Sequence, residues 1–156
     1  TRDASGVRHP NVTQNMNYPE VRDKVRTAIE EYFKLELGRP EILNRIGENI
    51  VVFDYIRDDV AAQILDSQIA KIVSNLAAEK RISLSVQPEA KSQLLYAAIS
   101  NLANGGRGIG NIVESMLIDP LSRYMFDNRI FDNASIDIQK IDTSAIPTSI
   151  VCNQEA

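Results

Sequence analysis

The chain has 156 residues, of which 44% are hydrophobic and 24% charged, and a formal net charge of -4, which suits one globular domain with a single core. Its basic residues are interspersed with acidic ones, whereas binding phosphates needs clustered cations, so a nucleic-acid partner is not expected. The lone Cys152 excludes an internal disulfide, and no apolar run approaches the roughly 20 residues of a membrane span, so a cytoplasmic protein without a membrane partner is expected.

The first third of the chain predicts loop, helix and strand in turn. Residues 1–17 have no apolar periodicity and are predicted as loop. Helical spacing of apolar residues begins after Pro19 and ends at Gly38. A short helical piece over residues 42–45 then precedes the β-branched run of residues 50–53, which predicts a short buried strand.

The clearest predicted helix begins at Asp58 and Asp59, which are good amino-terminal caps. Its apolar residues recur at three- and four-residue spacing and form one long stripe. We expect this stripe to be buried against the helices that follow, since it has no other sizeable apolar partner. The residues expected to pack together are Leu65, Ile69, Ile72 and Leu76 with Leu94, Leu95 and Ile112.

A strand and a helix are predicted next. Apolar residues alternate with serines over residues 82–86, as in a half-buried strand. Pro88 then opens a helix that runs to Leu102. Asn104 and the two glycines after it are expected to end this helix.

The last part of the chain predicts one more helix and one more strand. The helix begins at about Ile109 and must kink or break at Pro120, because proline lacks an amide donor and clashes with the preceding turn. Residues 136–141 give the last strand candidate. The Pro-, Ser- and Thr-bearing segment after it is predicted as a tail.

Catalytic constellations of the usual kinds are scarce. His9 is the only histidine, so a histidine-based triad or metal site would have to form around a residue in the predicted amino-terminal loop. The string Gly106-Arg107-Gly108-Ile109-Gly110 superficially resembles a dinucleotide fingerprint, but a helix rather than a strand precedes it. Arg107 is nevertheless unusual at a helix amino terminus, where the dipole disfavours a cation unless an anion is near.

Two further arginines flank the predicted short helix. Taken alone, Arg39 and Arg45 are best explained as surface residues that form ion pairs, which contribute little to stability. Glu41 and Glu48 are close enough in sequence to serve as their partners. The residues by themselves therefore leave a structural role open for both arginines.

The order of features resembles a known family. GRPEILNRIGENIVVF, residues 38–53, is similar to the segment of Clp-type AAA+ ATPases that contains an RPE string, an NRIDE string and a short hydrophobic strand. The long helix, RISLSV, PEAKSQLLYAAI, the Gly-Gly-Arg turn and LIDPLSRYMF follow in the order of the small lid subdomain of those ATPases. The resemblance extends over about residues 19–141, and the collinear series makes it more specific than any one string.

The resemblance implies roles for two arginines. The Arg of the NR pair is the family's arginine finger, which acts in trans on ATP bound to the neighbouring subunit, and it matches Arg45 as a catalytic residue. The Arg of the family's Gly-Ala-Arg turn is the second sensor, which contacts the nucleotide in cis, and it matches Arg107 as a cofactor-binding residue. ATP would then be the anion that Arg107 requires at its helix terminus.

The chain also departs from the family pattern. Gly38 stands where the family has an aromatic residue, and Gly47 stands where it has Asp. The Pro-Leu-Lys-Arg string that usually follows the sensor Arg is replaced over residues 108–111. These departures indicate a divergent branch.

The phosphate-binding parts of an ATPase do not occur in these residues. There is no GxxxxGK[ST] loop and no acidic Mg²⁺-binding strand, and the chain begins at Thr1 without a Met, so we expect a piece of a longer protein. ATP and Mg²⁺ would serve that parent. The chain alone is expected to bind ATP weakly or not at all and to be inactive, with no metal site of its own.

The sequence thus predicts an α+β fold: a helical AAA+ lid subdomain with a small sheet, preceded by a helical remnant of the large ATPase subdomain. The expected divisions are residues 1–53 for the remnant, 54–142 for the lid and 143–156 for the tail. The resemblance implies a homo-oligomeric ring that unfolds proteins, as a chaperone or as the ATPase subunit of a protease with a peptidase partner. A non-catalytic interaction module with a lid-like fold is the main alternative, and a self-standing small enzyme is a weaker one.

Overall fold

The computed structural model of the protein describes residues 10–102 and 105–153. His9 and Asn104, both considered above, lie outside the described residues. The chain divides into two compact units, Thr1–Tyr55 and Ile56–Ala156. Each unit is described by itself.

The described part of the first unit, from residue 10 onward, contains two α-helices. Helix α1 spans Tyr18–Glu31 and continues into a π-helical turn, Tyr32–Glu36, and helix α2 spans Pro40–Ile46. A capping box starts α1: the Glu20 amide donates to the Asn17 side chain at 3.0 Å, and the Asn17 amide donates to the Glu20 carboxylate at 3.3 Å. The predicted helices of this region are therefore confirmed.

The predicted strand over residues 50–53 is wrong. This segment has no strand partner, since the described strands all pair with one another in the second unit. Its side chains still alternate: Val52 is buried and its carbonyl accepts a hydrogen bond from the Tyr18 hydroxyl, while Val51 is 76% exposed and Phe53 is 87% exposed. A β-branched run favours a strand, but a strand also needs a neighbour for its backbone groups.

The second unit places helices against a three-stranded sheet. Strand β2 (Ser135–Asp142) lies in the middle, parallel to β1 (Ser83–Val86) and antiparallel to β3 (Ser149–Asn153). The parallel pair requires a crossover, which the helices between β1 and β2 provide. Fold class α+β is confirmed. In chain order the elements are α3 (Asp58–Lys80), β1 (Ser83–Val86), α4 (Pro88–Ser100), α5 (Gly105–Val113), a π-helical turn (Glu114–Ile118), α6 (Asp119–Asp127), β2 (Ser135–Asp142) and β3 (Ser149–Asn153).

Helices α5 and α6 form one continuous helical segment despite Pro120. The amide of Asp119 donates to the carbonyl of Glu114, five residues back, so the turn before the proline is wider than an α-helical turn. This widening gives the buried Pro120 ring room, so the helical segment continues through the proline and does not break there. Helix α5 also begins four residues earlier than predicted, at Gly105, whose φ of 62° suits a glycine.

The segment predicted as a tail contains strand β3. Ile150 of this strand is buried in the core and lies opposite Ile141 of β2. The strand was not predicted for two reasons. The Pro, Ser and Thr residues before it are typical of a loop, and a five-residue strand with one buried side chain has almost no periodic signal.

The core of the second unit forms along the apolar stripe of α3. Leu65 and Ile69 are buried, and Ile72 and Leu76 pack against the same cluster. Leu94 of α4 is fully buried there, with Leu95 and Ile112 at its edge. The predicted packing of the α3 stripe is therefore confirmed.

Truncating Leu94 to Ala should lower the free energy of unfolding by about 2 to 5 kcal/mol, because it removes a fully buried side chain and leaves a cavity. Urea denaturation measures this change. Tyr96→Ala on the same helix is the control, since its side chain is 77% exposed and its loss should change stability by about 0.5 kcal/mol or less. Equal effects of the two changes would contradict the assigned core.

A polar cluster connects β1 to β2. The carboxylate of Asp137 accepts hydrogen bonds from the Ser85 hydroxyl and from the side-chain amides of Gln87, at 2.6 Å, and Gln139. The bonds from Ser85 and Gln87 hold the pKa of Asp137 below its ordinary value of 3.8, because they stabilise the ionised form. The cluster therefore joins the two strands more strongly while this carboxylate is charged.

The pH dependence of stability should reflect this cluster. Since the pKa of Asp137 is lower in the folded chain, its contribution is complete above the ordinary value of 3.8 and is lost as the pH falls through the folded value. Asp137→Ala should thus flatten the acid limb of a plot of unfolding free energy against pH, whereas Asp132→Ala, which removes a surface carboxylate outside the cluster, should not. An unchanged acid limb in Asp137→Ala would refute the role of the cluster.

Candidate functional site

Arg45 lies in the last turn of α2, where its positive charge complements the helix dipole. Pro40 begins this helix, and Gly47 ends it with a φ of 54° and an amide that donates to Leu43. The Arg45 side chain is exposed. Its guanidinium is thus presented at the end of a short, well-defined helix.

The ion pairs considered for this region form only in part. Arg39 lies 3.8 Å from Glu41, as suggested by the sequence. Glu48 instead lies 3.4 Å from Arg26 of α1, which also donates to the Glu48 carbonyl. Within residues 10–102 and 105–153, Arg45 has no ion pair. The surface ion-pair explanation of Arg45 therefore has no support in the described chain.

Arg107 lies in the first turn of α5 and is exposed. It lines an open groove of about 570 Å³ on the surface of the second unit. One wall of the groove is α3 and the other is α5 with its π-helical turn. The lining residues are Gln68, Lys71, Ile72, Asn75, Arg107, Gly110, Asn111, Val113, Glu114 and Ile118.

The groove contains charges that sequence reasoning missed. Lys71 and Glu114 line it together with Arg107. A signal for the α3 wall was present, because Gln68, Lys71 and Asn75 follow the three- and four-residue spacing of a single helix face. Nothing local marked that face as the neighbour of α5, however.

Arg45 belongs to the first unit and Arg107 to the second. Both are exposed at helix ends, one at a carboxyl terminus and the other at an amino terminus. Arg107 is the less expected of the two, since a cation in a first helical turn is unfavourable without a nearby anion. Among the residues that the structure describes, no carboxylate forms an ion pair with Arg107.

Other kinds of site find no support in the described residues. No group of three or more His, Cys, Asp and Glu side chains there could hold a metal ion. Cys152 on β3 is half-buried, and burial raises the pKa of its thiol to about 11, so it is a poor nucleophile near neutral pH. No helix in the described part of the chain is both long and apolar enough to cross a membrane.

Comparison with known proteins identifies the second unit. A family model described as the C-terminal, D2-small domain of ClpB protein matches residues 56–138, more than half of the chain. The match begins where the second unit begins and ends within β2. The chain belongs to the ClpB family. The Clp-type AAA+ resemblance of the sequence is thereby confirmed, and Arg107 and its groove lie inside the region that matches the ClpB lid.

Individual relatives agree with this assignment. A chaperone protein ClpB from Gloeobacter violaceus is 30% identical over 68% of this chain, and one from Meiothermus ruber is 30% identical over 72%. A third, from Propionibacterium freudenreichii, is 30% identical over 74%. The chain spans only 11 to 12% of the length of these ClpB proteins.

Both arginines should be dispensable for folding. Arg45→Ala and Arg107→Ala should each change the free energy of unfolding by about 0.5 kcal/mol or less, because exposed side chains without ion pairs contribute little. Urea denaturation of the two variants beside the unchanged chain tests this. A loss of 2 kcal/mol or more in either variant would mean that the arginine supports the fold rather than a site.

Proposed function

We propose that the chain is the carboxyl-terminal part of a ring-forming, Clp-like, ATP-dependent chaperone that unfolds or remodels proteins. In this proposal residues 1–53 end the large ATPase subdomain, residues 54–142 form the lid and residues 143–156 follow it. The observation that carries the proposal is the ClpB lid match together with an exposed arginine in the first turn of α5. The relatives are named chaperones, which favours a chaperone over the ATPase subunit of a protease.

Arg107 acts as a sensor in cis in this proposal. ATP bound to the same subunit would present phosphate oxygens, with Mg²⁺ beside them, to the exposed guanidinium. That anion would resolve the unfavourable placement of a cation in a first helical turn. Arg107 is part of α5, and α5 is packed into the lid core through Ile109 and Val113. A change at the phosphate would therefore be transmitted through α5 to the whole lid.

Arg45 acts as the arginine finger in trans. A guanidinium that reaches the γ-phosphate on a neighbouring subunit stabilises the charge of the transferring phosphoryl group. Such a residue must be exposed and free of a competing carboxylate, and within the described residues Arg45 meets both conditions. Pro40 and Gly47 set the ends of the helix that presents it.

The exposed segment before the lid also supports the proposal. Val51 and Phe53 are large apolar side chains that are 76% and 87% exposed. Exposed apolar side chains in this pattern are typical of an edge that another part of a protein covers. In the proposal, that covering part is the remainder of the large ATPase subdomain.

Arg45→Ala tests the proposal in the full-length ATPase. This variant should fold, bind ATP and assemble, but lose about 10³ to 10⁵ in turnover, the range that arginine fingers contribute in other phosphoryl-transfer enzymes. Adding the variant to wild-type subunits should inhibit ATP hydrolysis in mixed rings, because each variant disables the site of its neighbour. ATP hydrolysis measured across mixing ratios gives both results.

Arg39→Ala is the matched control, since Arg39 is exposed on the same segment but pairs with Glu41. It should retain near-normal turnover. Near-normal hydrolysis by Arg45→Ala would instead make Arg45 a surface residue and remove the trans role. A full-length protein without any phosphate-binding loop would favour the alternative, a non-catalytic interaction module with a lid fold.

A further inference from the structure

The groove beside Arg107 has a second cation. Lys71 lies on the α3 wall and Arg107 on the α5 wall of the same open space of about 570 Å³. In the described residues neither side chain has an ion pair, although other exposed lysines such as Lys91 and Lys34 are paired. Two cations without carboxylate partners thus face one groove.

The remaining groups in the groove favour an extended anion with polar oxygens. Asn75 and Asn111 add side-chain amide donors to the two cations. Ile72 and Ile118 add apolar surface to the lining. Glu114 is the single carboxylate of the lining, and it weakens the binding of an anion because like charges repel.

The π-helical turn contributes to the shape of the groove. Its first and last residues, Glu114 and Ile118, both line the space. Turns of this kind are rare and often occur at functional sites. Here the turn also accommodates Pro120, so it explains the shape of this wall but does not by itself indicate a ligand.

We infer that Lys71 is a second phosphate-binding residue beside Arg107, and that Glu114 limits the affinity of this site. The ligand class is a polyphosphate chain, and its identification as that of ATP rests on the proposed function. Lys71 contributes a mobile ammonium with three donors, whereas Arg107 offers a planar fork, so the two can contact different oxygens of one chain. Glu114 weakens the attraction that both cations exert.

The experiment titrates the 156-residue chain with tripolyphosphate at low ionic strength and follows backbone amide shifts by NMR. Shifts should be largest around Lys71 and Arg107. Lys71→Ala and Arg107→Ala should each weaken binding by about two- to five-fold, as expected for exposed charges, and Glu114→Gln should strengthen it by a similar factor. All three effects should shrink at high salt, because ions screen exposed charges.

Lys91→Ala is the matched control, since it removes an exposed lysine outside the groove and should leave the affinity unchanged. The inference is overturned if tripolyphosphate produces no saturable shifts, or if Lys71→Ala has no more effect than Lys91→Ala. Weakening by Arg107→Ala alone would overturn the role of Lys71 and keep the anion site. Weakening by both variants, with normal hydrolysis by Arg107→Ala in the full-length ATPase, would support the site and refute the sensor role.

Discussion

Burial of the α3 stripe is the interaction on which the second unit depends. Leu65 and Ile69 belong to the same buried cluster as Leu94 of α4 and Ile109 of α5, so α3 provides the surface on which both of these helices pack. The middle strand β2 covers the same cluster through Ile138. Each of these side chains is removed almost completely from water, which contributes about 1.5 to 3 kcal/mol per large aliphatic residue. Without α3 the core would lose the long helix against which both α4 and α5 pack.

This packing also explains how a lid can expose an arginine in an unfavourable electrostatic position. Ile109 and Val113 on the buried face of α5 hold the helix in place. Arg107 lies on its exposed face and lines the groove. The few tenths of a kcal/mol that the helix dipole costs Arg107 are small beside the burial of that helix. A folded lid can therefore keep a cation ready for an anionic ligand. Arg45, on a short helix bounded by Pro40 and Gly47, is presented by local geometry instead.

The sequence predicted an element correctly where its periodic pattern was long, and failed where the pattern was short. The 23-residue helix α3 and the stripe that it buries were predicted correctly, since many residues repeat the same spacing. The error at residues 50–53 arose because a run of β-branched residues indicates a strand propensity, not whether the backbone has a partner. Strand β3 was missed because its pairing with β2 is a tertiary property, and the Pro, Ser and Thr residues before it are typical of a loop. The motif strings led to Arg107, but Lys71 became visible only when packing brought α3 and α5 together.

The central claim is that Arg45 serves the nucleotide of a neighbouring subunit whereas Arg107 serves that of its own. Mixing two defective proteins tests it most directly: full-length Arg45→Ala subunits combined with full-length Arg107→Ala subunits, with ATP hydrolysis as the readout. Each variant alone should be inactive, because every site in its rings lacks one arginine. Mixing should restore hydrolysis, since a subunit that keeps Arg107 then sometimes lies next to one that supplies Arg45. Mixed rings that form but remain as inactive as the separate variants would contradict the assignment.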